Sequence, residues 1–314
     1  MTSDESVIAA LLLTNRITEV AAKPFAPKEF WTLIGRVPDP GVFMGSDAAT
    51  VAAVLGGDDA FAERVVTLLD AAVGFAVEQE RLEESGVVLL SALDERYPPS
   101  LRRRLGPIRP PFLMVAGDLD RLSAGGIGVV GSRDVSAHGG EVAVAAGARA
   151  VELGVPVVTG AARGVDQLSM KGAIDAGGSV VGIPSEGLGR MKKEIRALVH
   201  EDRLTLASPY GPNARFTAGN AMGRNKVIYA LADVTLVVAS DVDTGGTWQG
   251  ATEALRRGFG PVAVWTGDGA GPGNAVLAER GAMVITDLAR LEGGGAIDEV
   301  VSESTPEQLT FGIT

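Results

Sequence analysis

The chain has no cysteine, which excludes disulfides and thiolate metal sites and accords with a reducing compartment. Histidine is almost as scarce. His138 and His200 stand far apart in sequence, which argues against a histidine zinc site and against a Ser-His-Asp hydrolase. No apolar run approaches the roughly 20 residues that cross a bilayer. Leu11, Leu12 and Leu13 are too few, and no basic segment with an apolar run and cleavage site opens the chain. A cytoplasmic protein without membrane contact is expected. Positive charge is also in deficit, with 28 Lys and Arg against 39 Asp and Glu and a net charge of −11. That balance argues against a broad duplex-binding surface. It leaves room for a local groove, because a short single strand needs only a few placed cations and an aromatic face. P-loop spacing is missing, as is a GxGxxG turn with an acidic ribose binder, so neither an NTPase nor an NAD enzyme is indicated.

What the chain does contain is a repeated βα pattern organised around residues 126–166. Two apolar runs, residues 126–130 and 155–158, flank an alanine-rich helical stretch, residues 136–154. Neither run alternates with polar residues, as expected for strands covered on both faces. Each runs into a glycine turn with an arginine: Gly131-Ser132-Arg133, then Gly160-Ala161-Ala162-Arg163-Gly164. Such turns fall at the carboxyl ends of parallel strands, where open α/β sheets bind ligands, and their backbone N–H groups can approach an anion closely. Asp166 is suited to capping the following helix or orienting an arginine.

Alternation continues with helices over residues 164–176, 191–200, 218–232 and 246–257, and strands over 179–183, 204–207, 234–239, 262–265 and 283–285. The fold class expected is α/β, a doubly wound and mainly parallel sheet of extended Rossmann-like form. Residues 1–85 read as a small helical domain, with helices at 3–13, 48–55 and 60–85. Residues 86–125 read as a proline-rich, extended connector with edge strands at 86–90 and 112–116, because residues before proline avoid the helical region. Within it, Arg102-Arg103-Arg104 reads either as exposed charge or as a nucleic-acid contact. Residues 291–314 form an acidic, glycine-containing tail.

Two further stretches belong to the candidate site. Arg224-Asn225-Lys226 opens a helix and adds cations, with Phe216 shortly before it as a stacking face for a base. Thr244-Gly245-Gly246-Thr247 follows a strand and opens the helix carrying Trp248 and Glu253, and its hydroxyl and N–H groups suit an anion. The phosphate- or nucleic-acid-binding set expected is therefore Gly131, Ser132, Arg133, Gly160, Arg163, Gly164, Phe216, Arg224, Lys226, Thr244, Gly245, Gly246 and Thr247. No metal or cofactor is implied.

Taken in order from about residue 93 to residue 285, these motifs resemble the DNA-processing protein A (DprA/Smf) family, within the wider SLOG superfamily that includes LOG-type phosphoribohydrolases. The match runs through Tyr97-Pro98-Pro99-Ser100-Leu101, Pro110-Pro111-Phe112-Leu113, both arginine turns, Gly172-Ala173, Gly177-Gly178, Phe216, Arg224-Asn225-Lys226 and Gly245-Gly246. The helical N-terminal portion is similar to that family's SAM-like domain. The resemblance implies a dimeric single-stranded-DNA-binding protein that helps load the RecA recombinase, with Arg133, Arg163, Arg224 and Lys226 on phosphates and Phe216 near a base. Met170 stands where the family commonly has histidine. Phe216-Thr217-Ala218-Gly219-Asn220 replaces its Phe-Pro-x-Arg-Asn-Arg run, and too few residues follow for a winged-helix domain. An alternative within the superfamily is a nucleoside 5′-monophosphate phosphoribohydrolase, with Arg224 on the phosphate and Glu253 stabilising charge at the ribose. A domain sensing a small nucleotide is the other.

Overall fold

The computed structural model describes residues 3–14 and 16–292. Five helices come first: α1 (Asp4–Leu13), α2 (Pro27–Arg36), α3 (Ala48–Leu55), α4 (Asp59–Leu69) and α5 (Ala72–Glu84). Residues 60–85, expected as one helical stretch, are thus two helices that part at Asp70 and Ala71. The sequence hides the break, since Val65, Leu68, Leu69, Phe75 and Leu82 keep a helical phase through it without glycine or proline at the joint. All five are buried in the same core. The unexpected α2 starts on Pro27, with the Glu29 carboxylate accepting from the Ala26 N–H at 2.8 Å. Proline is at home at that first position because its missing N–H would have had no helical partner.

The helical layer joins the rest of the chain through a continuous core. Trp31 donates its indole N–H to the Arg109 carbonyl at 2.9 Å, and the Arg109 guanidinium lies 3.4 Å from the Trp31 ring centroid. The connector is not wholly extended. Pro98 is extended (φ −51°, ψ 122°), as a residue before proline should be, but Pro99 then opens α6 (Pro99–Leu105). Arg102 donates to the carbonyls of Asp94 and Tyr97, and Arg104 to those of Ala230 and Ala232. Arg102 thus braces the connector on itself, and Arg104 ties it to the end of the helix Ala218–Leu231.

The sheet has nine strands. They are β1 (Val88–Ser91), β2 (Phe112–Ala116), β3 (Ile127–Val130), β4 (Val157–Thr159), β5 (Val180–Gly182), β6 (Leu204–Ser208), β7 (Val234–Val237), β8 (Val262–Trp265) and β9 (Met283–Ile285), in the order β1-β2-β6-β5-β4-β3-β7-β8-β9. From β6 to β9 all neighbours are parallel, while β1 and β2 add an antiparallel flank. Phe112–Ala116, expected at an edge, lies one strand in and is buried along its whole length. The helices between parallel strands are α8 (Ala137–Glu152), α9 (Val165–Asp175), α10 (Lys193–His200), α11 (Ala218–Leu231), α12 (Gly245–Arg257) and α13 (Pro272–Glu279), and the short α7 (Leu119–Ser123) precedes β3. The doubly wound α/β class expected from the sequence is the one observed. From 293 onward, the expected tail lies outside the described residues.

The strand order fixes where a ligand can sit. From β3 the chain winds towards β4 and β5, whereas from β7 it winds the other way to β8 and β9. Connections leaving β3 and β7 diverge, and a crevice opens between them at the carboxyl ends of the strands.

Candidate functional site

A cavity of about 480 Å³ occupies that crevice. Ser132 and Arg133, following β3, form one wall, and residues 239–241 and 244–247, following β7, form the other. Asp166, Arg224 and Tyr229 are among its buried lining residues, and Phe216 stands over it half-exposed. A second cavity of about 310 Å³ adjoins, lined by Gly160, Ala161, Ala162, Arg163 and residues 184–186. Arg133, Ala162 and Phe216 line both. The Arg133 guanidinium lies 5.1 Å from the Phe216 ring centroid, so a cation and an aromatic face meet between the two hollows.

Backbone packing brings the two arginine turns together. The Val165 N–H donates to the Ser132 carbonyl at 3.2 Å. Gly164 (φ +85°) touches the same segment, where a Cβ would come within 2.4 Å of the Ser132 oxygen. Only glycine allows both that approach and that backbone angle. Arg163 itself stays exposed on the rim, its guanidinium 2.7 Å from the Asp134 carboxylate. Asp134 in turn donates its N–H to the Ser132 hydroxyl at 3.1 Å.

Arg224 points inward and is only 5% exposed. It donates to the Gly160 carbonyl at 3.1 Å and to the Asn225 side-chain oxygen at 3.2 Å. Gly160 has no side chain to spare, since a Cβ there would lie about 2.0 Å from the guanidinium. Asn225 passes the link on by donating to the Gly246 carbonyl at 3.0 Å. Arg224 and Asn225 together thus tie the turn after β4, helix α11 and the start of α12 into a frame. Asp166 completes it, 5% exposed and accepting from the Ala162 N–H at 3.3 Å. Burial pushes its carboxyl up to about 6, although Arg224, the N–H groups of Ala162 and Gly160, and Arg133 pull the other way. Burial likewise lowers Arg224, against the pull of Asp166. The sequence singled out Asp166 as a possible orienter of an arginine, but not Asn225 as the bridge or Asp134 as the rim carboxylate. The last was signalled by its position directly after Arg133.

Helix α12 starts in the cavity wall. Thr244 is its N-cap in extended conformation (φ −139°, ψ 155°), yet its side chain makes no capping bond. Gly245 (φ +83°) follows, and the first N–H groups of the helix have no side-chain cap. Such donors, with the partial positive charge of a helix start, accept an anion.

Two residues grouped with this site lie elsewhere. Lys226 lines neither cavity. It is half-buried near Glu253 and Arg257, and burial lowers its ammonium. Two positions along a helix rotate a side chain to nearly the opposite face, so Arg224 and Lys226 cannot share a rim. Glu253 also lines neither cavity and pairs with Arg257 at 3.3 Å. The pair required for a phosphoribohydrolase, Arg224 and Glu253, does not converge on one cavity. Among the described residues, no three His, Asp or Glu side chains are grouped to hold a metal ion, and no helix is long and apolar enough to cross a membrane.

Fold and site together define a Rossmann-like protein with a cleft at the switch point of its sheet. The chain belongs to the DNA recombination-mediator protein A family, whose model matches residues 88–291, and is a DNA-processing protein of that family. It is 29% identical over 203 residues to the DNA processing protein DprA of Streptococcus pneumoniae, covering 62% of this chain and 70% of that one. To protein Smf of Escherichia coli it is 29% identical over 215 residues, covering 66% of this chain but 56% of the relative. The X-ray structure of Streptococcus pneumoniae DprA superposes with a TM-score of 0.66 at 22% identity, covering 94% of this chain and all of that chain (100%). A Helicobacter pylori DNA processing protein A, described for its single-stranded DNA binding mode, superposes with a TM-score of 0.54 at 18% identity, covering 69% and 96%.

Proposed function

We propose that this protein binds single-stranded DNA in the cleft between β3 and β7 and, as a cytoplasmic homodimer, assists loading of the RecA recombinase. The observation that carries the reading is Arg133 packed on Phe216 between two adjoining cavities. A single strand offers a phosphate and a base face in every unit, and this pair offers a partner to each. Ser132, the N–H groups of α12 and the rim guanidinium of Arg163 add donors around it, while Gly160 and Gly164 let the turns close. Arg224 serves as a buried strut rather than as a phosphate ligand, and Lys226 is assigned no contact. A net charge of −11 does not oppose this, because at physiological salt charges more than about 8 Å away are largely screened. Membership of a recombination-mediator family supports the RecA role.

Fluorescence anisotropy of a labelled oligo-dT, competed with nucleoside monophosphates, tests the reading. Saturable binding that unlabelled oligo-dT reverses, and monophosphates do not at equal phosphate concentration, is the expected result. Equal displacement by a monophosphate would assign the cleft to a small nucleotide instead. For the RecA step, the protein should speed assembly of RecA on the same oligonucleotide.

A further inference from the structure

Charge around the larger cavity is uneven. The side of Arg133 and Arg163 carries both signs, with Asp134 paired to Arg163 and the exposed Glu186 on the second cavity, whereas the loop after β7 carries carboxylates alone. Arg133 and Arg163 stand towards the second cavity, whose outer wall is the segment 184–186. The connection that continues from it carries Arg190, Lys192 and Lys193, all exposed. Opposite stands the loop after β7, with Asp241 lining the larger cavity and Asp243 two residues on, both exposed. Neither has an ion pair among the described residues. This loop is also held from behind. The Gly273 N–H donates to the Ser240 carbonyl at 2.7 Å, and a Cβ on Gly273 would come within 2.4 Å of the Asp241 oxygen. The buried Asn274 amide donates to the carbonyls of Val238 and Trp265 at 2.9 and 2.7 Å. The backbone at the base of the loop is thus pinned, Asp243 is left-handed (φ +56°), and both carboxylates are exposed.

We propose that a bound single strand lies on one side only of the larger cavity. Its backbone follows Arg133 and Arg163 towards the second cavity, with one nucleotide reaching into the larger one, and the carboxylates of Asp241 and Asp243 bar it from the opposite rim. The inference rests on the reading of the cleft as a single-strand site and adds a path and a direction to it. Carboxylates facing a polyanion act by exclusion, because like charges brought together cost more than a missing contact.

The absence of cysteine makes the test clean. Ser185→Cys and Val242→Cys each place one thiol in the chain, on the second cavity and on the loop, where Val242 is exposed between the two carboxylates and leaves both in place. Each variant is incubated with an oligo-dT bearing activated-disulfide tethers along its backbone, and covalent capture is scored. Capture at position 185 is expected to exceed capture at 242 by about tenfold, with none in the cysteine-free parent. Adding Asp241→Asn and Asp243→Asn to Val242→Cys should raise capture at 242, since the fence is then removed. Equal capture at both positions, or capture at neither while anisotropy shows tight binding, would overturn the one-sided path and leave the single-strand reading standing. If the parent fails to bind the oligonucleotide at all, the single-strand reading falls and the path falls with it.

Discussion

Replacing Arg224 by methionine separates a strut from a phosphate ligand. In the native protein this guanidinium is the stronger of the two cations, with Arg133, that act on the buried Asp166, and it donates to the Gly160 carbonyl and the Asn225 side chain. Methionine fills much of the volume but removes the stronger of the carboxylate's two cations and the donor to two acceptors. Removing one partner from a buried charged arrangement costs about 3–5 kcal/mol. At about 2–4 °C per kcal/mol for a large domain, the melting temperature should fall by roughly 10 °C. Lys226→Met is the control, because its ammonium is half-buried and already disfavoured by burial; a change within about 1 kcal/mol is expected. The deficit of the Arg224 variant should also depend on pH. The Asp166 carboxyl is raised to about 6 in the fold, above its value in the unfolded chain. Its contribution to stability is therefore fully present below the unfolded value and lost as pH rises through about 6. Without Arg224 the carboxyl rises further, so protonation in mild acid relieves the uncompensated charge and the deficit shrinks. Thermal unfolding followed by circular dichroism between about pH 7.5 and pH 5 reads both effects. Equal melting temperatures for the Arg224 and Lys226 variants, or a deficit that does not change with pH, would refute the strut.

Three further outcomes concern binding. Phe216→Ala should weaken oligo-dT binding by about 1–3 kcal/mol through lost stacking without changing the salt slope; an altered slope would mean the ring acts only by holding Arg133. Asp134→Asn should release Arg163 from its rim ion pair and tighten binding by less than about 1 kcal/mol, with the gain vanishing at high salt. An affinity loss in anisotropy would contradict that role. Affinity for oligo-dT should rise as pH falls through about 6, because protonation of Asp166 removes a negative charge from the cavity. In Asp166→Asn that rise should disappear, and its persistence would move the effect to another group.

Much of the sheet could be read in the sequence because a parallel strand covered on both faces leaves an unbroken apolar run, as at Ile127–Val130 and Val234–Val237. The helix α6 could not, since Pro98-Pro99 reads as extended backbone, and only the geometry shows Pro99 serving as a helix start. Phe112–Ala116 looked like an edge because its partner β6 comes about ninety residues later. In the site, the glycine turns, Arg133 and Phe216 were legible from residue type and position. The inward turn of Arg224 was not, because it depends on Gly160, 64 residues away in sequence, having no Cβ. The separation of Arg224 from Lys226 was within reach, since helical phase alone puts residues two apart on different faces.

Arg133→Ala, assayed by oligo-dT anisotropy across a salt series, bears most directly on the cleft itself. Removing one phosphate contact from a single-strand site should lower affinity several-fold and flatten the slope of log affinity against log salt by about 0.7, in a variant that melts like the parent. Unchanged affinity and slope in that folded variant would place the DNA, if any is bound, somewhere other than between β3 and β7.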